Sequence, residues 1–333
     1  MRSGLQGILE ETHSVQLTVL AAVSALNVIG LVLINRHKRE EKGKDCEIPW
    51  LWRRRAYGAL IATSFSLSWW LDVHYDIHPL LLPVKSYVMA FPLGLLDLHF
   101  SSTTEVSLKV LAGAALWCST IYVRLSLVDA YYAYFYGARD GVPPVLVREC
   151  TPWTLARELL RYVLSLPFMG ILSDLIFSPM HRLAHHPFLY KDHHKVHHEY
   201  TNKLTALVLY HGALLDDFLM PVCTSVGGTI YAILLGFVGL ERQAFSSVAG
   251  YLIVFNTLLS HAHDTRCARL MAPLPDDLNF VAYHYVHHLS PGNNFGLTRP
   301  SDVVWDKLLG VSTIKRLEDF EQSSEGKRNF KVH

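Results

Sequence analysis

The chain has 333 residues, half of them hydrophobic, with five cysteines and a net charge of +1. A charge that balanced leaves no basic face for nucleic acid and no acidic excess for a cationic partner. The apolar residues fall in long runs, which argues against two ordinary soluble domains and for an all-α, polytopic membrane protein.

A helix needs about 20 apolar residues to cross a bilayer. In chain order the sequence predicts such runs at Val15–Ile34, Ala56–Leu71, Pro79–Leu96, Val110–Val128, Leu159–Met180, Phe218–Leu240 and Phe245–Ser260. Glu10 and Glu11 precede the first run and no small-residue cleavage site follows it, so it reads as a retained anchor. Pro83, Lys85 and Pro92 make the third run the weakest. Arg124 lies near one end of the fourth, where it can snorkel. These runs divide the chain into N-terminal transmembrane helices (1–156), a histidine-rich domain (157–312) and a charged, loose C-terminal tail (313–333).

Between Arg36 and Arg55, eight Lys or Arg stand against four acids, which places that loop in the cytosol. With the third run counted as a crossing, the helix ending at Met180 emerges on the cytosolic side, and the histidines after it form a cytosolic cap. If that run does not cross, the parity reverses.

Histidine is the anomaly of composition. Thirteen of the nineteen lie between His181 and His288. Positions i, i+3 and i+4 share a helical face. On that rule His181 and His185 pair, His194, His197 and His198 form one three-imidazole face, and His284, His287 and His288 form another. His211, His261 and His263 lie between. His186, five residues after His181, points elsewhere on a continuous helix, but Pro187 disfavours helical backbone at the residue before it. Either His185 or His186 therefore completes the first group, whereas His193 sits off the face of its neighbours. The array suffices for two metal ions. Eight or more imidazoles cannot all be buried without partners, because each unpaired ring nitrogen costs on the order of 1–3 kcal/mol.

Neutral imidazole suits zinc, copper, iron and nickel alike. The five cysteines form no Cys-x2-Cys pair and none lies near the histidine motifs, which argues against a structural zinc–thiolate site or a disulfide framework. Iron with open positions is the usual choice where oxygen is activated beside a lipid. A neutral ligand set calls for carboxylates behind it. Asp174, seven residues before His181 and inside an apolar run, is the foremost; Asp264, Glu199 and Asp217 follow. Tyr283 and Tyr285 flank the last histidine group and read as packing residues.

Taken together, His181-Arg-x2-His185-His186, Tyr190-Lys191, His194-Lys195-Val196-His197-His198 and His284-x2-His287-His288 resemble the histidine boxes of the fatty acid hydroxylase and sterol desaturase superfamily. Asp174, His211, His263-Asp264, Asn294-Phe295-Gly296 and Trp305-Asp306-Lys307-Leu308-Leu309-Gly310 match smaller marks of the same pattern, over roughly Asp174 to Gly310. The chain departs from it in Gly212, where many members carry proline, and in the additional His261.

The resemblance implies a multi-pass enzyme of the endoplasmic reticulum membrane with a di-iron centre facing the cytosol. Its ligands would come from His181, His185, His186, His194, His197, His198, His211, His263, His284, His287 and His288, with Asp174 and Asp264 behind them and no separate catalytic side chain. It further implies dioxygen as oxidant, electrons from NAD(P)H through a b-type cytochrome or its reductase, and a sterol or fatty acyl C–H bond as the point of attack. The rival reading is a membrane protein that holds zinc without redox work.

Overall fold

The computed structural model describes residues 13–40, 82–101, 105–136, 152–201, 204–238 and 279–322, with residues 263, 275 and 277. Every regular element among them is helical. Four long helices open the chain: α1 (His13–Glu40), α2 (Leu82–Phe100), α3 (Lys109–Tyr136) and α4 (Pro152–Ala184). Short helical turns follow at Pro187–Leu189, Tyr190–His194, His197–Glu199 and Ala206–Tyr210. The chain then forms α5 (Leu214–Phe237), α6 (Phe280–Leu289), α7 (Arg299–Leu309) and α8 (Leu317–Gln322).

Helices cover five of the seven expected runs; Ala56–Leu71 and Phe245–Ser260 lie outside the described residues. The weakest run is one 19-residue helix, α2, which continues through Pro92. Pro83 stands at the second position of α2, where its missing N–H costs nothing. Among the described residues, Leu214–Leu235 is the stretch long and apolar enough to cross a membrane by length and composition.

Polar bonds fix how the first helices meet. On α1 the buried residues are Asn27, Leu31, Asn35 and Lys38, one helical stripe, while Leu26, Ile29, Val32 and Leu33 are exposed. Asn35 closes a reciprocal pair with the Val106 backbone, donating from Nδ2 at 2.8 Å and accepting at Oδ1 at 3.0 Å. Lys38 donates to the Ser101 carbonyl, capping the end of α2. Asp97 on α2 accepts from the Thr205 hydroxyl and the Ala206 N–H, which starts the 3-10 turn Ala206–Tyr210. That turn wedges between α2 and α3, where Leu207 and Tyr210 join Phe91, Leu98, Val110, Ala114 and Trp117 in the main core.

Among the described residues, the most extensive helix–helix contact is that of α4 with α5. Gly227 makes this approach possible: a Cβ there would lie 2.0 Å from the Ser173 nitrogen and 2.3 Å from its Cα. Small residues bring helices together in this way inside membranes. Up to residue 322 the chain beyond α7 is bonded to the rest, and part of the tail expected to be loose from Arg316 onward is helical. Thr313 and Lys315 are bonded to Asp306 and Asn294, and α8 follows as a helix against α6.

Gly227→Ala is expected to push α4 and α5 apart at a cost of about 1–3 kcal/mol. Gly170→Ala, which meets nothing within 4 Å, is expected to be neutral or to stabilise by up to roughly 1 kcal/mol. Thermal unfolding of the detergent-solubilised protein separates the two; equal melting temperatures would refute the tight α4–α5 contact.

Candidate metal centre

Nine imidazoles converge in two groups. The first holds His181, His185, His194, His198 and His287; the second holds His197, His263, His284 and His288. Within each, the donor nitrogens all lie within 4.8 Å of one another. All nine are buried apart from the half-buried His185.

The grouping corrects the expectation of one face per histidine box. His194 and His198 enter the first group and His197 the second, while His284 and His288 enter the second and His287 the first. Residues i and i+4 differ by only about 40° around a helix, whereas i+3 and i+4 differ by about 100°. Each box therefore sends its i, i+4 pair one way and its i+3 histidine the other. The third box does so from a regular helix, α6. The second does so from a π turn, Tyr190–His194, and a 3-10 turn, His197–Glu199.

The hydrogen bonds behind the rings settle their tautomers. His181 Nδ1 donates to the Phe295 carbonyl at 2.6 Å, and His287 Nδ1 to the Asn293 carbonyl at 2.7 Å. His194 Nδ1 donates to the Asp216 carboxylate at 3.0 Å. A neutral imidazole with its hydrogen on Nδ1 carries a bare lone pair on Nε2. Those lone pairs face inward: His181 Nε2 lies 2.9 Å from His194 Nε2, with His198 Nε2 at 3.1 Å from His194 and 3.2 Å from His287. His185 Nε2 stands 3.1 Å from His287 Nε2. With both rings neutral, no hydrogen is left between His181 and His194 to bridge the two nitrogens, and the contact is repulsive without a cation.

With metal–nitrogen bonds of about 2.1 Å, ligands at right angles would stand about 3.0 Å apart, in keeping with these spacings. In the second group His263 Nε2 lies 3.1 Å from His197 and 3.0 Å from His284. Among the described residues, neither nitrogen of His288 has a protein partner, although the ring is wholly buried. The donor set fits two metal ions.

Burial keeps the ligands ready. It holds His181, His198, His284 and His288 well below the ordinary imidazole range, with neighbouring imidazoles adding to it. His197 is pushed down to about 4 and His287 to about 3, again by burial first. All are neutral near pH 7, the form that ligates.

The other expected residues fall as follows. Of the pair left open, His185 is in the first group; His186 is exposed and accepts from the Phe188 N–H at 3.4 Å, capping a single turn after Pro187. His211 belongs to neither group. Its Nε2 meets Glu199 at 2.8 Å, and its backbone bonds the His197 ring. Among the described residues Asp174 has no hydrogen bond to a histidine: its carboxylate accepts from the Leu297 and Thr298 N–H groups at 2.6 and 2.7 Å and from the Thr298 and Ser301 hydroxyls. It thereby fastens the loop whose Phe295 carbonyl holds His181, one step further from the ligands than expected. Asp264 and His261 lie outside the described residues. Tyr283 donates to Asp302 at 2.8 Å, and Tyr285 packs with Leu204 and Val208.

Sequence reasoning missed Asp216 in favour of its neighbour Asp217, and it missed the carbonyls of Asn293 and Phe295. A signal for the latter existed in Asn294-Phe295-Gly296. Asn294 adopts φ 52°, which asparagine tolerates, and its amide is bonded to the backbone of Tyr283 and Lys315. Gly296 donates to Asp302 at 2.9 Å, and a Cβ on it would stand 2.3 Å from the Ser301 hydroxyl. The motif is thus a tight turn aiming two carbonyls at two ligand rings.

Buried imidazoles that converge in two ion-sized groups are the donor arrangement that could hold a pair of metal ions. Residues 166–311, which contain every one of these ligands, match the family model described as fatty acid hydroxylase. Through this region, rather less than half of its length, the chain is similar to the fatty acid hydroxylase family. Curated relatives include fatty acid hydroxylase domain-containing protein 2 of Macaca fascicularis and of Homo sapiens. Each is 26% identical over 162 residues, which is 48% of this chain and 42% of the relative. The match thus spans about two fifths of those relatives' length. No solved structure matches the chain.

Asp216→Ala is expected to weaken metal retention about 10–100-fold, the usual effect of removing a carboxylate behind a ligating histidine. His185→Ala is expected to lower the metal content of the purified protein, and His186→Ala to leave it unchanged. Elemental analysis after dialysis against a graded chelator checks all three; metal loss in His186→Ala matching that in His185→Ala would overturn the assignment.

Proposed function

We propose that the protein is a membrane-bound, oxygen-dependent lipid oxidoreductase that hydroxylates or desaturates a sterol or fatty acyl C–H bond. The observation that carries the reading is the pair of all-imidazole groups with opposed lone pairs, within a fatty acid hydroxylase domain. Two irons held there would supply the reductive activation of dioxygen that an unactivated C–H bond requires. In a hydroxylation, two electrons originating from NAD(P)H balance the reaction, one oxygen atom entering the product and the other leaving as water. A b-type cytochrome or its reductase is the electron donor in this proposal.

The chain's own residues perform three tasks. His181, His197, His198, His284, His287 and His288 are held neutral by burial and present nitrogen without a proton to displace. Carbonyls and Asp216 lock the ring orientations, so little reorganisation accompanies binding or turnover. Burial excludes bulk water from the place where a reactive oxidant would otherwise be lost. None of these tasks needs a side-chain nucleophile.

A multi-pass position in the endoplasmic reticulum membrane, with the histidines toward the cytosol, is part of the proposal. It draws support from the apolar stretch Leu214–Leu235 and from the exposed apolar flanks of α1 and α4, which include Ile29, Leu33, Leu160, Leu164 and Phe168. A lipid substrate would then reach the site from the bilayer, between helices.

Lipid profiles of cells lacking the protein, rescued by wild type or by His197→Ala, test the activity. Wild type is expected to restore a hydroxylated or unsaturated lipid, and His197→Ala to fail while still inserting in membranes. Equal rescue by both, or stoichiometric zinc with no oxygen consumption, would replace the redox reading with the zinc-holding one. A glycosylation acceptor introduced within residues 137–151 is expected to be modified, since that loop is lumenal in this topology; its remaining unmodified would reverse the orientation.

A further inference from the structure

Helix α7 is built inside out. Its buried residues are Ser301, Asp302 and Asp306, whereas Val303, Val304, Leu308 and Leu309 are exposed; Leu308 is 69% exposed and Asp302 0%. Positions 303, 304, 307 and 308 lie on one flank of a helix, so Lys307 shares the stripe with the apolar residues. Val311, just beyond the left-handed Gly310 that ends the helix, is exposed as well. A surface helix in water shows the opposite pattern, its apolar stripe facing the core and its charges facing solvent.

The orientation is fixed by many bonds. Asp302 accepts from Ser178 at 2.6 Å, Arg182 at 2.8 Å, Tyr283 at 2.8 Å and the Gly296 N–H at 2.9 Å. Asp306 accepts from Arg182 at 2.7 Å and from Thr313. Rolling the helix over to hide its valines and leucines would break all of these.

Position points to the occupant of the exposed flank. Trp305 Nε1 donates to the Leu175 carbonyl of α4 at 2.9 Å. Leu175 lies five residues before Met180, where the expected span ends, which is about 7.5 Å along a helix axis. The α4 helix runs against α5, which carries the bilayer-length apolar stretch, and it exposes Leu160, Leu164, Phe168 and Ile171. The apolar stripe of α7 is therefore attached to a helix whose own apolar flank is uncovered, near that helix's cytosolic end.

We propose that α7 is an in-plane membrane helix, with Val303, Val304, Leu308 and Val311 seated in the lipid interface and Lys307 reaching a headgroup phosphate. This rests on the membrane reading of α4 and α5 given above. Interfacial helices bind through an apolar face and cationic side chains of this kind. Here the opposite face holds the loop of Phe295 through Ser301 and Asp302, so the helix touching lipid is also the one that steadies the ligand-bearing loop.

The test places a photoreactive benzophenone side chain singly at positions 304 and 308 of the full-length protein in its native membrane, with Leu164 on α4 as lipid reference and Glu318 on α8 as aqueous reference. After irradiation, lipid adducts are counted by mass spectrometry. Yields at 304 and 308 are expected to match that at 164 and to exceed that at 318 several-fold. Adducts at 164 but only background at 304 and 308 would overturn the proposal. So would protein cross-links in place of lipid adducts, which would assign the stripe to a polypeptide partner. Background yields at 164 itself would remove the membrane reading of α4, and the proposal with it.

Discussion

The arrangement depends on holding unprotonated nitrogens closer together than they would rest by themselves. At 2.9 Å, His181 Nε2 and His194 Nε2 oppose lone pair to lone pair when both rings are neutral, their single hydrogens being committed to Phe295 and Asp216. A cation turns that repulsion into attraction. Without one, the protein must maintain it through the packing behind the rings, and the surroundings of each ligand are arranged accordingly. Burial alone would favour neutral rings in any tautomer; the carbonyls of Asn293 and Phe295 and the carboxylate of Asp216 are what select the inward-facing Nε2 lone pair.

Those carbonyls belong to a loop with no regular structure of its own, so its position has to be set from outside. Asp174 reaches it from α4 and Asp302 from α7, each accepting backbone N–H groups that would otherwise be unsatisfied inside the protein. Arg182, one residue after the first ligand, joins Asp302 to Asp306 and lies 4.7 Å over the Phe295 ring. Its side chain is largely buried, so this is the costly kind of ion pair: removing one partner of such a pair typically destabilises by about 3–5 kcal/mol. Asp302 is far from His181 in sequence, yet only a few bonds separate them through Gly296 and the Phe295 carbonyl.

Much of this was legible in the sequence, and the part that was not has a definite cause. The two three-histidine clusters and the pairing of His181 with a histidine four or five residues on could be read because i, i+3 and i+4 spacing is local, whereas His263 entered through the resemblance of His263-Asp264 to a family mark and His185 stayed open against His186. The division of each box between two groups follows from the same geometry, since i+3 and i+4 diverge by about 100°, but counting three residues as one face conceals it. His186 and His211 were assigned on resemblance or on a turn at Pro187, and their surroundings decide otherwise: one caps a turn at the surface, the other pairs with Glu199. Asp174 was found for the right reason, a carboxylate inside an apolar helix, while its partners at 297–301 stand more than 120 residues away, a separation no local pattern reports. Asp216 was hidden by its twin at 217, as two adjacent acids at the start of a helix differ only in which way the helix turns them.

The same logic accounts for the outer shape. On α7 the polar residues point inward and the apolar ones outward, and on α1 only Leu31 among the four buried residues is apolar, so burial of apolar side chains is a minor part of what joins these two helices to the rest. Their attachment comes from directed bonds: Asn35 with Val106, Lys38 with Ser101, Asp302 with Arg182 and Tyr283, Trp305 with Leu175. Where lipid surrounds a helix, apolar surface gains nothing by turning from lipid to protein, and packing with interhelical hydrogen bonds takes over. A helix held by directed bonds has one permitted orientation, because a small roll misaligns several at once, whereas an apolar stripe tolerates sliding. For α7 that constraint passes directly to the loop of Phe295, and through it to the ring of His181.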